Sequence, residues 1–118
     1  MEKMIAWVEI PTTDFERGVK FYQGLLGVEL KPEVCEQEKM ACFPTGEGAI
    51  IHSSGFEPSG QGVVVSFNSG EKLDDTLQKV EEMGGKIIRA KTKIEAEGMG
   101  YFALFSDSEG NRIGLYGQ

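Results

Sequence analysis

Histidine is almost missing from this chain of 118 residues: His52 is the single one. Any metal centre would have to be assembled from that imidazole and carboxylates, and any histidine acid–base chemistry depends on it alone. An isolated histidine is first read as an ordinary strand-end residue. Cysteine is scarce as well. Cys35 and Cys42 lack CxxC spacing and are expected as thiols. Positive charge is in deficit, with 12 Lys and Arg against 19 Asp and Glu and a net charge of −7. That balance argues against a nucleic-acid or anionic-membrane partner, because both demand clustered basic residues. No apolar run reaches the roughly 18 residues of a membrane span. The opening MEKMIAWVEI holds no apolar core of signal-peptide length, so a cytoplasmic location is expected.

What is present is a composition of 40% hydrophobic and 26% charged residues, that of one folded domain with a single core. Residues 3–10 alternate as a strand, with Ile5, Trp7 and Glu9 on one side and Met4, Ala6, Val8 and Ile10 on the other. Pro11 ends it. A helix is expected next: Thr13 and Glu16 have capping-box spacing, and Asp14 puts an anion in the first turn. Phe15, Val19, Tyr22 and Leu26 form its apolar stripe, and Gly27 is its stop. VEL (28–30), KMACFP (39–44) and GAIIHS (48–53) then read as short strands.

GFEPSGQG, residues 55–62, is the most linker-like segment. After it the pattern starts again, with a strand at VVVSFN (63–68) and a helix carrying Leu73, Leu77, Val80 and Met83 on one face. The strand KIIRA (86–90) follows, and GYFALFSD and NRIGLYG close the chain as a hairpin. Its turn, Asp107–Asn111, is dense in turn formers, and Gly110 supplies the positive φ. Gly114, inside the last strand, packs nothing and marks close backbone approach or open space. The order is strand, helix, three strands, twice over. The expected organisation is one domain, 1–118, of two tandem βαβββ units (about 1–54 and 63–118) joined by the linker. The expected class is α+β, with curved, barrel-like mixed sheets around a cleft.

Trp7–Gly27 (WVEIPTTDFERGVKFYQGLLG), Leu73–Ile87 (LDDTLQKVEEMGGKI) and Ser106–Gly117 (SDSEGNRIGLYG) together resemble the vicinal oxygen chelate superfamily. That family contains glyoxalase I (lactoylglutathione lyase), bleomycin-resistance proteins and extradiol dioxygenases. The resemblance runs through essentially the whole chain. It implies a divalent metal held by two His and two Glu, or two His and one Glu, with positions open for two adjacent substrate oxygens. Matched residue by residue, the first ligand position falls on Trp7 and its counterpart in the second unit on Val64. The last falls on Gly114. The remaining one lies near Ile50–His52, where His52 is the only candidate. Three of four positions lack a donor, so no metal cofactor is expected. An unorthodox Glu9–His52 pair is the residual option.

The ligand-binding cleft is expected to carry Trp7, Glu9, Val64, Ser66, Gly114 and Tyr116. Cys42, His52, Tyr101, Ala103 and Phe105 are further candidates for its lining. Such an aromatic and apolar surface with a few polar handles suits a small organic ligand. Trp7 and Tyr116 would stack on a planar or cationic group. Glu9 would receive a cation or a donor, or serve as a catalytic general base were it desolvated. Three functions follow: a metal-free small-molecule binder or enzyme, a metal-dependent lyase or isomerase of the glyoxalase I type, or a non-catalytic interaction module. The resemblance implies a symmetric homodimer, since members of one-domain size commonly pair, and the repeated unit suggests pairing through exposed sheet edges.

Overall fold

The computed structural model describes residues 4–34 and 38–118. Lys3 of the expected first strand and the Cys35 thiol lie outside them. Two compact units divide the chain, Met1–Pro58 and Ser59–Gln118, so the boundary falls inside the 55–62 stretch.

In the first unit β1 (Val8–Pro11) leads to helix α1 (Phe15–Leu26), then β2 (Lys31–Val34), β3 (Glu38–Cys42) and β4 (Gly48–Ser53). The sheet order is β1-β4-β3-β2, with β1 parallel to β4 and the other pairs antiparallel. The second unit repeats this with β5 (Val65–Gly70), α2 (Leu73–Glu82), β6 (Lys86–Lys93), β7 (Tyr101–Ser106) and β8 (Arg112–Gly117). Its order is β5-β8-β7-β6, with β5 parallel to β8. The protein is therefore α+β, built from two βαβββ units.

Several boundaries differ from the sequence expectation, each for a local reason. The cap of α1 is Asp14, one residue after Thr13; its carboxylate accepts from the Arg17 amide at 3.1 Å. The buried face of α1 is Gly18, Phe21, Tyr22 and Leu25, rotated from the expected stripe, and Phe15, Val19 and Leu26 flank it half-buried. Gly18 is buried on that face, and a periodicity count of large side chains passes over a glycine. Gly27 does end the helix, in the left-handed region at φ 68°. Val28–Leu30 is not a strand: Leu30 turns into the core and its amide donates to the Gln23 side chain at 3.1 Å. Pairing begins only at Lys31. In α2, Leu73, Leu77 and Val80 are buried, whereas Met83 follows the last helical residue and stays partly exposed.

Two features hold the strands in place. Gly48 pairs with Val8, and a Cβ there would overlap the Val8 carbonyl oxygen, so only glycine admits β1 at this spacing. The β7–β8 turn is closed by Asp107. Its Oδ1 accepts from the amides of Glu109 (2.8 Å) and Asn111 (2.9 Å), and its Oδ2 accepts from Asn111 Nδ2 (3.0 Å). Gly110 takes φ 91°. Asn111 Oδ1 in turn accepts from the Ser59 amide at 3.2 Å, fastening the start of the unit to its final hairpin. The Asp-x-Glu-Gly-Asn run is thus turn chemistry, as its sequence implies.

Candidate functional site

Paired residues share a sheet face and neighbours along a strand alternate, so register assigns every candidate to a side. In the first unit Trp7 immediately precedes β1, and its indole Nε1 donates to Glu9 Oε2 at 3.2 Å. The two side chains therefore lie on one face, as alternation requires. Both are exposed, Trp7 at 42%. Glu9 is opposite Ala49, Ala49 is opposite Cys42, and the next row runs Pro11, Ile51, Met40. Cys42, a half-buried thiol, accordingly shares the Trp7 face, two strands away from Glu9, or roughly 10 Å.

His52 does not share that face. It alternates with Ile51 and falls on the side of Ile10, Ala41 and Ile50, which are buried with Phe21, Tyr22 and Leu25 of α1. Its Nδ1 lies 2.9 Å from the Thr12 carbonyl oxygen. A carbonyl only accepts, so Nδ1 carries the proton. Thr12 is itself buried, and both its amide (2.8 Å) and its hydroxyl (3.0 Å) donate to the Ile51 carbonyl. His52 is thus part of a lock that fixes the chain between β1 and α1. Ala49 and Ile51 of β4 share a face with Trp7 and Glu9 and offer a metal nothing. Register puts Glu9 and His52 on opposite faces of the sheet.

In the second unit Ser66, Gly114 and Leu104 form one row across β5, β8 and β7, and Asn68, Tyr116 and Phe102 form the next. Gly114 is buried, and the space its Cβ would fill is taken by the Ser66 hydroxyl. Gly114 therefore marks close approach and not vacant space. Val64, 39% exposed, precedes β5 on the same side, with its Cγ1 at 3.4 Å from that Cβ position. The two positions that the family resemblance matches to metal ligands in this unit are thus neighbours in space, and neither carries a donor. Tyr116 is half-buried, its hydroxyl accepting from the Gly100 amide at 3.1 Å.

Tyr101, Ala103 and Phe105 lie on the opposite side, with Val65, Phe67, Ile113 and Leu115. Phe105 and Ala103 are wholly buried core. Tyr101 stands under Lys91, whose Nζ is 4.6 Å from the ring centroid and 3.3 Å from Asp74 of α2. That side is the helix side. The residues sequence reasoning missed on the Gly114 face are Phe102, Leu104, Asn68 and Arg89. Arg89, opposite Leu104, holds its guanidinium 5.1 Å above the Phe102 ring. Hairpin register was the available signal, since a turn closed by Asp107 and Asn111 sets Leu104 opposite Gly114.

Among the described residues no three His, Cys, Asp or Glu side chains are grouped to hold a metal ion. At the matched positions Trp7, Val64 and Gly114 carry no donor for the divalent ion of the family's best-known members, and His52 lies on the helix side. What the two faces offer is an indole–carboxylate pair in one unit and an aromatic, arginine-bearing surface in the other.

The sequence matches the Glyoxalase/Bleomycin resistance protein/Dioxygenase superfamily model over residues 4–115. The chain belongs to that superfamily. No curated protein sequence matches it. Solved structures agree on the fold. A glyoxalase/bleomycin resistance protein from Albidiferax ferrireducens superposes with a TM-score of 0.72 at 20% identity, covering 98% of this chain and 100% of its own. A glyoxalase/bleomycin resistance protein/dioxygenase family enzyme from Burkholderia phytofirmans gives 0.73 at 18% identity, over 96% and 97%. The genomically encoded fosfomycin resistance protein FosX from Listeria monocytogenes gives 0.70 at 15% identity, over 100% and 95%. At these identities the likeness is one of fold.

Proposed function

We propose that this protein binds a small organic ligand on a sheet face, that of Trp7 and Glu9 in the first unit or that of Gly114 in the second, without the divalent metal of the family's best-known members. The observation that carries the reading is the chemistry of the matched positions. Trp7, Val64 and Gly114 supply no ligand atom, His52 at the fourth is held by the Thr12 carbonyl on the helix side, and the Ser66 hydroxyl fills the start of the Gly114 side-chain path. A neutral indole and aliphatic side chains do not coordinate divalent cations. Trp7 would stack on the ligand and Glu9 would hold a donor or cation on it. Glu9 is also the carboxylate placed to take a proton, should the protein turn its ligand over. A cytoplasmic symmetric homodimer completes the reading.

The test is equilibrium dialysis against Ni²⁺, Zn²⁺ and Mn²⁺, followed by metal analysis and an assay of hemithioacetal turnover. The expected result is less than one-tenth equivalent of metal per chain and no turnover with any ion. One equivalent of tightly held metal, or turnover abolished by EDTA, overturns the proposal in favour of a glyoxalase I-type lyase. A melting-temperature screen against small aromatics, thiols and antibiotics should raise the apparent Tm with at least one compound. Sedimentation tests the dimer: a lone species of 12.9 kDa at micromolar concentration counts against it.

A further inference from the structure

The chain is acidic, yet one face of the second unit's sheet is not. The register puts Lys86 and Arg112 opposite Ser106, and Arg89 opposite Leu104, all on the Gly114 side. No Asp or Glu stands at a paired position of that face. The contrast with the other side of the same sheet is direct. There Lys91 is neutralised by Asp74 at 3.3 Å. Among the described residues none of Lys86, Arg89 and Arg112 is in an ion pair. All three are exposed.

The cations border an apolar surface. Phe102, Leu104 and Tyr116 are half-buried neighbours across β7 and β8. Arg89 is not a freely waving side chain, because its guanidinium rests over the Phe102 ring at 5.1 Å. Stacking leaves the edge of the guanidinium, with its N–H fork, free for a planar oxyanion. The Tyr116 hydroxyl is anchored by the Gly100 amide at 3.1 Å, which fixes the ring beside Phe102. Lys86 and Arg112 lie one row further along, two residues or about 7 Å away, and add a positive field without competing for the same atoms.

We propose that this face binds an aromatic carboxylate, with Arg89 pairing the carboxylate and Phe102, Leu104 and Tyr116 holding the ring. The inference rests on the small-molecule reading above and names the ligand class for the second unit's face. Charge complementarity selects this occupant: a cationic rim in a protein of net charge −7 rejects cationic ligands and rewards anions.

The test uses the whole protein and three isosteric probes, 2-naphthoate, 2-naphthamide and 2-naphthylmethylamine, titrated calorimetrically at 20 and 300 mM NaCl. The expected result is saturable binding of 2-naphthoate at least tenfold tighter than of 2-naphthamide, weakening with salt. Arg89→Met should remove that tenfold preference while leaving the naphthamide affinity within twofold. Lys91→Gln, on the helix side of the same strand, should leave both unchanged. Equal binding of all three probes, tighter binding of the amine, or no binding of naphthoate overturns the inference. So does naphthoate affinity that disappears as protein concentration rises, because the face would then be covered by a second copy. These outcomes are separate from the metal test: a neutral or cationic ligand sinks this inference and leaves the proposed function standing. A stoichiometric metal does the reverse.

Discussion

The hydroxyl oxygen of Ser66 occupies the space into which a side chain on Gly114 would begin, across the parallel pairing of β5 and β8. The relationship is reciprocal: a residue with a Cβ at 114 has to displace Ser66, and Ser66 keeps its rotamer because 114 is glycine. Gly114→Ala should therefore lower stability by about 1 kcal/mol in urea unfolding, the small end of the cost of overpacking. Ser66→Ala removes the oxygen and leaves the Ser66 Cβ at 3.3 Å. The double variant should recover part of the loss, with a coupling of at least ~0.5 kcal/mol in the cycle. Strict additivity would contradict the contact.

Gly48 makes a sharper case. The atom a Cβ would meet there is a backbone carbonyl oxygen, that of Val8, which cannot rotate away. Gly48→Ala should cost about 3 kcal/mol, the upper part of the overpacking range, by prising β1 from β4. Amide exchange at Val8 and Ile10 should accelerate in the same variant, ahead of the α2 amides.

Asp107 is buried and takes three hydrogen bonds within its turn. Asp107→Ala strands the Asn111 amide and side chain as well as the Glu109 amide. A loss of about 3 kcal/mol is expected, since bonds to a charged acceptor exceed neutral ones and unpaired buried donors add to the cost. Asp107→Asn keeps one acceptor oxygen and should lose less. A Tm change in Asp107→Ala no larger than that of an exposed control would contradict the closure role.

Trp7 is the chain's only tryptophan, so its emission reports on one site. The exposed indole donates to Glu9 at 3.2 Å. Glu9→Ala should alter the intensity of emission while changing stability by less than about 1 kcal/mol, the usual worth of an exposed polar pair. A ligand stacking on Trp7 should quench that emission saturably, and an unchanged spectrum at saturating ligand would remove Trp7 from the binding surface.

The lock of Thr12, Ile51 and His52 separates structure from binding. His52→Ala should lower stability by about 1 kcal/mol, one hydrogen bond's net worth, and leave ligand affinity unchanged. A selective loss of affinity without loss of stability would restore His52 to the site.

Much of the fold was legible because its signals are local. Gly27 stops a helix, Asp107–Asn111 builds a turn, and Leu73, Leu77 and Val80 repeat at helical spacing. The Trp7–Glu9 alternation was equally legible, since polar and apolar residues differ there. Side assignment failed where both faces of a strand are apolar. Tyr101–Phe105 and Ala49–Ile51 give alternation nothing to act on, so Phe105 and His52 were placed with the wrong neighbours. Arg89 escaped notice for another reason. The β6–β7 register shifts twice, between Ile87 and Arg89 and again before Thr92, and no count along the sequence reveals a bulge.

The outer strand of the first unit, β2, has all four residues exposed, Val34 to 72%. An exposed strand with a free edge invites a further strand, the first step toward a fibre. Here that edge carries Pro32, which has no amide hydrogen to offer, flanked by the opposite charges of Lys31 and Glu33. Proline is tolerated in a sheet only at such an edge. The same three residues that complete the sheet therefore also end it, and protect the protein from templating its own aggregation.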